Sequence, residues 1–509
     1  MAKNMFNSVQ VKSVPGNRFD LIHDVKTSTI MGRLTPICIL ETLPGDKYSI
    51  NTESLIRFAP MVSPVMHRMN VFMHYYFVPN RIVWPGWEDF ISPPTNTSIA
   101  PAFPTITFTQ GNPSVGNLGN YLGINPTTGL GSGQVVSALA FAAYQAIYHE
   151  YYRDQNLIPE FNYKLANGDN SSNLELIQIR KRAWEHDYFT SALPFAQKGA
   201  AVAIPIGQLD DVPVKVQSGL FPGGDIVSTA ATGLPSTTAG SYSVQQGSPN
   251  VPISLNDLYA DMSNATATAT TINDLRTAIK LQEWLEKNAR SGTRYNELVK
   301  AHWNEYIGDD TLQRPEYITG SKSPVVISEV LNSTGETGGL PQGNMAGHGF
   351  STTSGKQGYY HCKEHGYIIG IMSVMPTTVY QQGTPKHFLK TESPEFGWPS
   401  FANLGEQEII NKELYVDHSQ PNDVFGYIPR FSEYKYIPSM VTGDMQGNLN
   451  YWTISRIFGT DPDLNQTFIE CDPRLDFLAV PGGGDYLYCQ VLNNISAFRK
   501  LPKYGTPTF

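Results

Sequence analysis

The sequence predicts a mainly β chain in which many short strands are joined by long ordered loops. Three observations carry this expectation. Only 16% of the 509 residues are charged, against about 25% in an ordinary soluble protein. The turn formers are abundant, with 44 glycines and 36 prolines. Tyr (27) and Phe (24), which favour strands, are also frequent. Long helical arrays need abundant Ala, Glu, Lys, Leu and Arg, and a disordered chain has few aromatics, so both classes are excluded. With 40% apolar residues the chain can build a large core. A length prior suggests three domains, but large β folds break it. One domain over 1–509 with insertions is expected.

The elements follow in order. Residues 1–33 are polar and irregular and read as an extended arm. The first clear strand is Leu34–Glu41, where Pro36 points to an edge or a strand start. Asn70–Val78 crowds aromatic and β-branched residues onto both faces, as a strand covered on both sides would. Residues 92–185 read as a loop-and-helix insertion. Within it, apolar residues recur at three and four from Val135 to Asn156 and predict a helix. Residues 186–194 and 200–206 read as strands. Residues 226–256 carry no charge and read as a packed loop within a variable surface insertion over 210–271. A helical insertion over 273–307 follows, with helices at Asp274–Ala289, N-capped by Asn273, and at Tyr295–Tyr306. Strands then return at Val325–Leu331, Gly366–Met375, Lys412–Val416 and Tyr486–Leu492. Residues 499–509 form a basic tail.

The chemistry implied is not catalytic. No nucleophile elbow, HExxH, Walker A or EF-hand spacing occurs. His361, Cys362, Glu364 and His365 are the densest ligand-type cluster, but strand alternation points neighbours to opposite faces, so a structural role is favoured over a metal site. Asp210-Asp211 and Asp309-Asp310 read as solvated turns rather than a hydrolase pair. Cys38, Cys362, Cys471 and Cys489 lack CxxC spacing and read as free buried thiols. No cofactor is expected. No apolar run is long enough for a membrane span, and no secretory leader is read, so synthesis in a cytoplasm is expected. A net charge of −9 excludes a free-standing basic nucleic-acid binder. Local patches remain: Arg180-Lys181-Arg182, and Arg499, Lys500 and Lys503 near the end, can neutralise phosphates without reading sequence. Trp84, Trp87 and Trp284 are large enough to anchor a core or a subunit interface.

Several stretches resemble the major capsid proteins of the Microviridae, tailless single-stranded DNA bacteriophages, and most of all their gokushovirus-like branch. They include Phe77-Val78-Pro79-Asn80-Arg81, Tyr151-Tyr152-Arg153-Asp154-Gln155-Asn156-Leu157 and His186-Asp187-Tyr188-Phe189-Thr190-Ser191. Gly292-Thr293-Arg294-Tyr295, Gln313-Arg314-Pro315-Glu316-Tyr317, Phe425-Gly426-Tyr427-Ile428-Pro429-Arg430 and Leu501-Pro502-Lys503-Tyr504-Gly505 continue the series in the same order. The resemblance implies a viral jelly roll, two packed four-stranded antiparallel sheets with long inserted loops. It implies a T=1 icosahedral shell of this chain around a circular single-stranded DNA genome, assembled in the host bacterial cytoplasm. It also implies a small basic DNA-binding virion protein, a minor pilot protein and a host surface receptor, a glycan among the candidates. The segment 210–271, where the resemblance is weakest, is expected to build a threefold protrusion. Two other classes fit the composition: a carbohydrate-binding β-protein and a glycoside hydrolase of β architecture.

Overall fold

The computed structural model describes residues 16–92, 99–108, 116–125, 134–200, 214–216, 258–260, 272–290, 301–302, 313–331, 345–479 and 484–504. Chain contacts divide it into two compact units. One comprises Met1–Ala196 and Glu305–Phe509, the other Gln197–Asn304.

The larger unit is built on two antiparallel sheets. The first contains β1 (Asn17–Asp20), β2 (His23–Thr29), β4 (Lys47–Phe58), β11 (Val326–Leu331), β12 (Met345–Ser354), β13 (Gly358–His361) and β17 (Leu487–Arg499). Its path is β1-β17-β4-β12-β11, with β2 also pairing β17 and β13 also pairing β4. The second has the order β10-β5-β14-β3, made of β3 (Thr35–Thr42), β5 (Met69–Pro79), β10 (Glu316–Pro324) and β14 (Gly366–Pro376). The chain passes repeatedly from one sheet to the other, from β2 to β3 to β4 to β5, and again from β12 and β13 to β14 to β17. Sequential strands thus lie in opposite layers, which is the jelly-roll wiring. The first sheet keeps four lanes, two of them shared by a pair of strands, with β11 added at one edge.

The core between the sheets follows from strand alternation. Tyr48, Ile50, Ile56 and Phe58 of β4 and Leu487, Val491, Ile495 and Ala497 of β17 point inward. They meet Met73, Tyr75 and Phe77 of β5 and Ile368, Met372 and Val374 of β14. Gly370 is required here, because a Cβ would stand 2.6 Å from the Tyr75 ring. A buried polar link crosses the same layer: Thr52 Oγ1 and Tyr75 OH are 2.6 Å apart, and Tyr75 OH donates to Asn493 Oδ1 at 2.6 Å.

The second sheet is covered on its other face as well. Tyr76, Val78, Ile369 and Ile371 pack beneath Leu139, Ala142, Ala143 and Ala146 of the helix Leu139–Ile147. This meets the expectation that Asn70–Val78 is buried on both sides. Pro36 also lies where expected. Strand β3 is an edge strand, and its register shifts beside that proline.

Other elements differ from expectation. The arm over 1–33 contains β1 and β2, which pair with β17 because that 13-residue strand is long enough to hold both. The helix expected at 135–156 begins at Leu139; Gln134–Ser137 is instead strand β7, paired with β6 (Thr105–Phe108). The helix ends in a wider turn over Tyr148–Tyr152, closed by the Arg153 N–H on the Tyr148 carbonyl at 2.9 Å. Residues 186–194 turn rather than extend, because Asp187 Oδ1 accepts the N–H groups of Phe189 and Thr190. Lys412–Val416 is largely a helical turn, Asn411–Leu414.

In the smaller unit, β8 (Val214–Val216) pairs with β9 (Leu258–Ala260), and the helix Ile272–Arg290 begins before Asn273, which therefore sits inside its first turn. Residues 301–302 are helical. The rest of the 210–271 insertion, most of the helix expected at 295–306, strand 201–206, both Asp-Asp pairs and the last five residues lie outside the described residues. Among the described residues no helix is long and apolar enough to cross a membrane.

Candidate assembly and nucleic-acid surfaces

The basic residues singled out in the sequence divide sharply. Arg180 is committed within the fold. Its guanidinium pairs with Glu175 at 2.7 Å, donates to Gln145 Oε1 at 2.8 Å and lies 4.2 Å from the Phe161 ring centre. Arg182 donates to Ser373 Oγ at 3.1 Å and stacks 4.3 Å over Phe72. Both guanidiniums thus have partners within the fold, while the residues themselves are half-buried. Lys181, between them, pairs with the exposed Asp472 at 2.9 Å. Arg499 faces the buried Asp46 carboxylate at 3.0 Å and donates to Tyr48 OH and the Glu41 carbonyl. It neutralises a buried charge that would otherwise be stranded. Lys500 and Lys503 are exposed.

The tryptophans divide in the same way. Trp84 is fully buried, with its indole N–H on Asn167 Oδ1 at 2.8 Å and its ring against Phe90 and Phe103. It anchors the chain's own core and is not available to a neighbour. Trp87 packs on the same cluster and lies 5.6 Å from the His365 ring. Trp284, in the smaller unit, is half exposed.

The residues of the 361–365 cluster, which lie at the end of β13 and in the turn to β14, take separate partners. Cys362 is buried, Glu364 clasps Arg81 at 2.7 Å, and His365 turns to Trp87. Among the described residues no group of three or more His, Cys, Asp or Glu converges. All four cysteines are free and buried. Burial pushes the thiols of Cys38, Cys362 and Cys489 up to about 12, so they are unreactive at neutral pH.

A surface that the sequence did not disclose lies in the long connection from β14 to β17. This segment holds the hairpin β15 (Glu406–Ile410) and β16 (Val424–Pro429) and shares a small core with Tyr188 and Phe189. Tyr380, Ile409, Leu414, Phe425 and Ile428 fill that core. Two ion pairs stiffen it: Lys390–Glu433 at 2.5 Å and Lys386–Glu413 at 2.7 Å. Glu413 also accepts the Ile410 N–H, which explains the helical turn there.

On this rigid base, large apolar side chains stand exposed: Phe388, Phe396, Trp398, Leu404, Tyr434, Tyr436, Ile437 and Met440. Tyr434, Tyr436, Ile437 and Met440 border one concavity of about 250 Å³. Apolar groups gathered on a base tied by ion pairs make this a candidate interaction surface.

The family model described as capsid protein (F protein) matches residues 7–509. Capsid protein VP1 of Bdellovibrio phage phiMH2K is 37% identical, covering 99% of this chain and 98% of that protein. Capsid protein VP1 of Chlamydia phage 1 is 32% identical, over 99% of this chain and 97% of its own length. That of Spiroplasma virus 4 is 30% identical, over 99% and 97%. The resemblance read from short motifs thus extends over nearly the whole sequence. With its jelly-roll sheets and its rigidly mounted apolar loop surface, the chain belongs to the capsid protein (F protein) family.

Proposed function

We propose that this chain is the major capsid subunit of a virion, self-assembling into a T=1 icosahedral shell around a circular single-stranded DNA genome. The observation that carries this reading is the exposed apolar surface on the β14–β17 connection, in a chain matched by a capsid family over 7–509. Apolar area buried between neighbours is worth roughly 25 cal/mol per Å² before association costs. Heterologous contacts that close around symmetry axes limit growth to a particle.

The net charge of −9 supports a separate small basic protein to neutralise the genome. A minor pilot protein and host attachment through the 210–271 insertion belong to the same reading, with a host glycan as one candidate receptor. The hydrolase and lectin-like readings have no comparable support along the chain.

The test is to produce the chain with its accompanying virion proteins and follow assembly by sedimentation and negative-stain microscopy. Isometric particles are expected from the wild type. Ile437→Asp with Met440→Asp is expected to leave a soluble, folded subunit that sediments slowly. A wild type that stays monomeric in every condition contradicts the proposal.

A further inference from the structure

The two ends of the first sheet are finished differently. At one end, β1 and β2 hold exposed charges at alternate positions, Arg18 and Asp20 on the first and Asp24 and Lys26 on the second. The Ser28 carbonyl of β2 is already taken by the Tyr121 hydroxyl at 2.9 Å. Charged side chains and a covered backbone keep a sheet edge from pairing with another chain.

At the other end stands β11, Val326-Ile327-Ser328-Glu329-Val330-Leu331. It pairs with β12 on one side and is the last strand of the path. Among the described residues no other strand or loop bonds its backbone. It holds no proline or lysine, and Glu329 is its one charge. Val326 is 50% exposed, Val330 55% and Leu331 53%. A row of backbone N–H and C=O groups along an open edge is matched by one chemistry, another extended backbone.

We infer that β11 pairs antiparallel with the β11 of a second copy, joining two first sheets into one across a twofold axis. The inference rests on the shell reading, since an icosahedral shell of identical chains supplies such an axis to every subunit. The strand's own sequence makes it a fit partner for itself. A twofold axis perpendicular to a sheet sets residues of the same face opposite one another, so the axis passes through a residue and not between two. Centred on Ser328, Val326 meets Val330 twice and Ile327 meets Glu329 twice. Centred on Glu329, two carboxylates would stand opposed, which is destabilising. In the Ser328 register the paired valines extend the rows that Phe350 and Ala346 begin on β12. The charged end of the sheet, β1 and β2, offers no such match. A pair of strands this short is weak by itself, so the contact is expected to close in the particle, where other contacts already hold the copies together.

The test uses the full-length chain with its accompanying virion proteins and the variant Ser328→Cys. All four native cysteines are free and buried, so mild oxidation reports on the introduced thiol. Directly opposed residues of an antiparallel pair bring their Cβ atoms to about 4.5–5.5 Å, close to the span of a disulfide. Oxidised particles are expected to yield linked dimers on a non-reducing gel. Val326→Cys and Val330→Cys are expected to link poorly alone and to link to each other when the two variants are co-assembled. Val326→Lys with Val330→Lys opposes lysine to lysine and is expected to lower the Ser328→Cys link roughly tenfold. Val326→Lys with Val330→Glu opposes lysine to glutamate and is expected to restore it.

Maleimide labelling of dissociated subunits checks that the introduced thiol is reactive, and microscopy scores particle formation separately. Particles without the link overturn this inference and leave the shell reading standing; linked dimers that form no particle do the reverse. A reactive thiol that links neither in particles nor in concentrated free subunits overturns the inference. So does a link to another virion protein, or equal linking by all three single cysteine variants.

Discussion

The two sheets of this molecule are made of the same kind of strand and are used in opposite ways. The second sheet is covered twice, by the first sheet on one side and by the helix Leu139–Ile147 and its loops on the other. Its strand β5 is accordingly apolar or aromatic at nearly every position, from Met69 to Val78. The first sheet is covered once. Its strand β17 alternates strictly, with Leu487, Cys489, Val491, Ile495 and Ala497 inside and Tyr488, Gln490, Asn494 and Phe498 outside. A strand with two dry faces has no room for chemistry. A strand with one free face can present it without loss of the core, which is why the cations and isolated aromatics collect on the first sheet.

The sharpest way to break this contrast is to empty the cover of the second sheet. Trp84→Ala removes a fully buried ring from the Phe90 and Phe103 cluster. Denaturant titration should show a loss of about 3–5 kcal/mol, as for other large-to-small core changes. A loss below about 1 kcal/mol contradicts the burial assigned to that layer.

A second prediction concerns His74, which lies under the same cover against Tyr152 and near Arg182. Burial, with help from the Arg182 charge, depresses its pKa to about 4. The unfolded chain takes up this proton near pH 6.5. Between pH 6.5 and about 4 the unfolded state therefore binds more protons, and stability falls as pH is lowered through that window. The loss attributable to this group is on the order of 3 kcal/mol. His74→Gln should flatten that part of the pH–stability curve; parallel curves for wild type and variant would contradict the assignment. The smallest effect is expected on the open face. Tyr488→Ala should change stability by no more than about 0.5 kcal/mol, and a core-sized loss in thermal or chemical unfolding would show that the face is not free.

Much of the covered layer was legible in the sequence, and little of the open one. Strand β5 announces itself by apolar and aromatic residues crowded on both faces, and Pro36 marks β3 as the edge of the same sheet because proline lacks the N–H that an interior strand must donate. Strand β4 passed unnoticed for a definite reason. Its inward set runs Tyr48, Ile50, Thr52, Ser54, Ile56, Phe58, and the two hydroxyl residues in the middle conceal the alternation. Thr52 is tolerated inside because Tyr75 meets its hydroxyl group.

The surroundings of the basic triplet at 180–182 are illegible for a complementary reason. Charge is visible in sequence, but the rings of Phe161 and Phe72 that cap Arg180 and Arg182 are not adjacent to them in the chain. The open-face residues lie on six strands, and only register brings Arg18, Lys47 and Phe498 into one row. The apolar surface of the β14–β17 connection was hidden because an exposed Ile437 and a buried Ile428 look alike in sequence.

The central claim is that this chain is a shell subunit whose apolar loop surface on the β14–β17 connection meets neighbouring copies. A cryo-electron-microscopy reconstruction of the assembled particle tests it most directly. The account predicts an icosahedral shell with Ile437 and Met440 buried between subunits. A shell with Ile437 and Met440 left in solvent would contradict it.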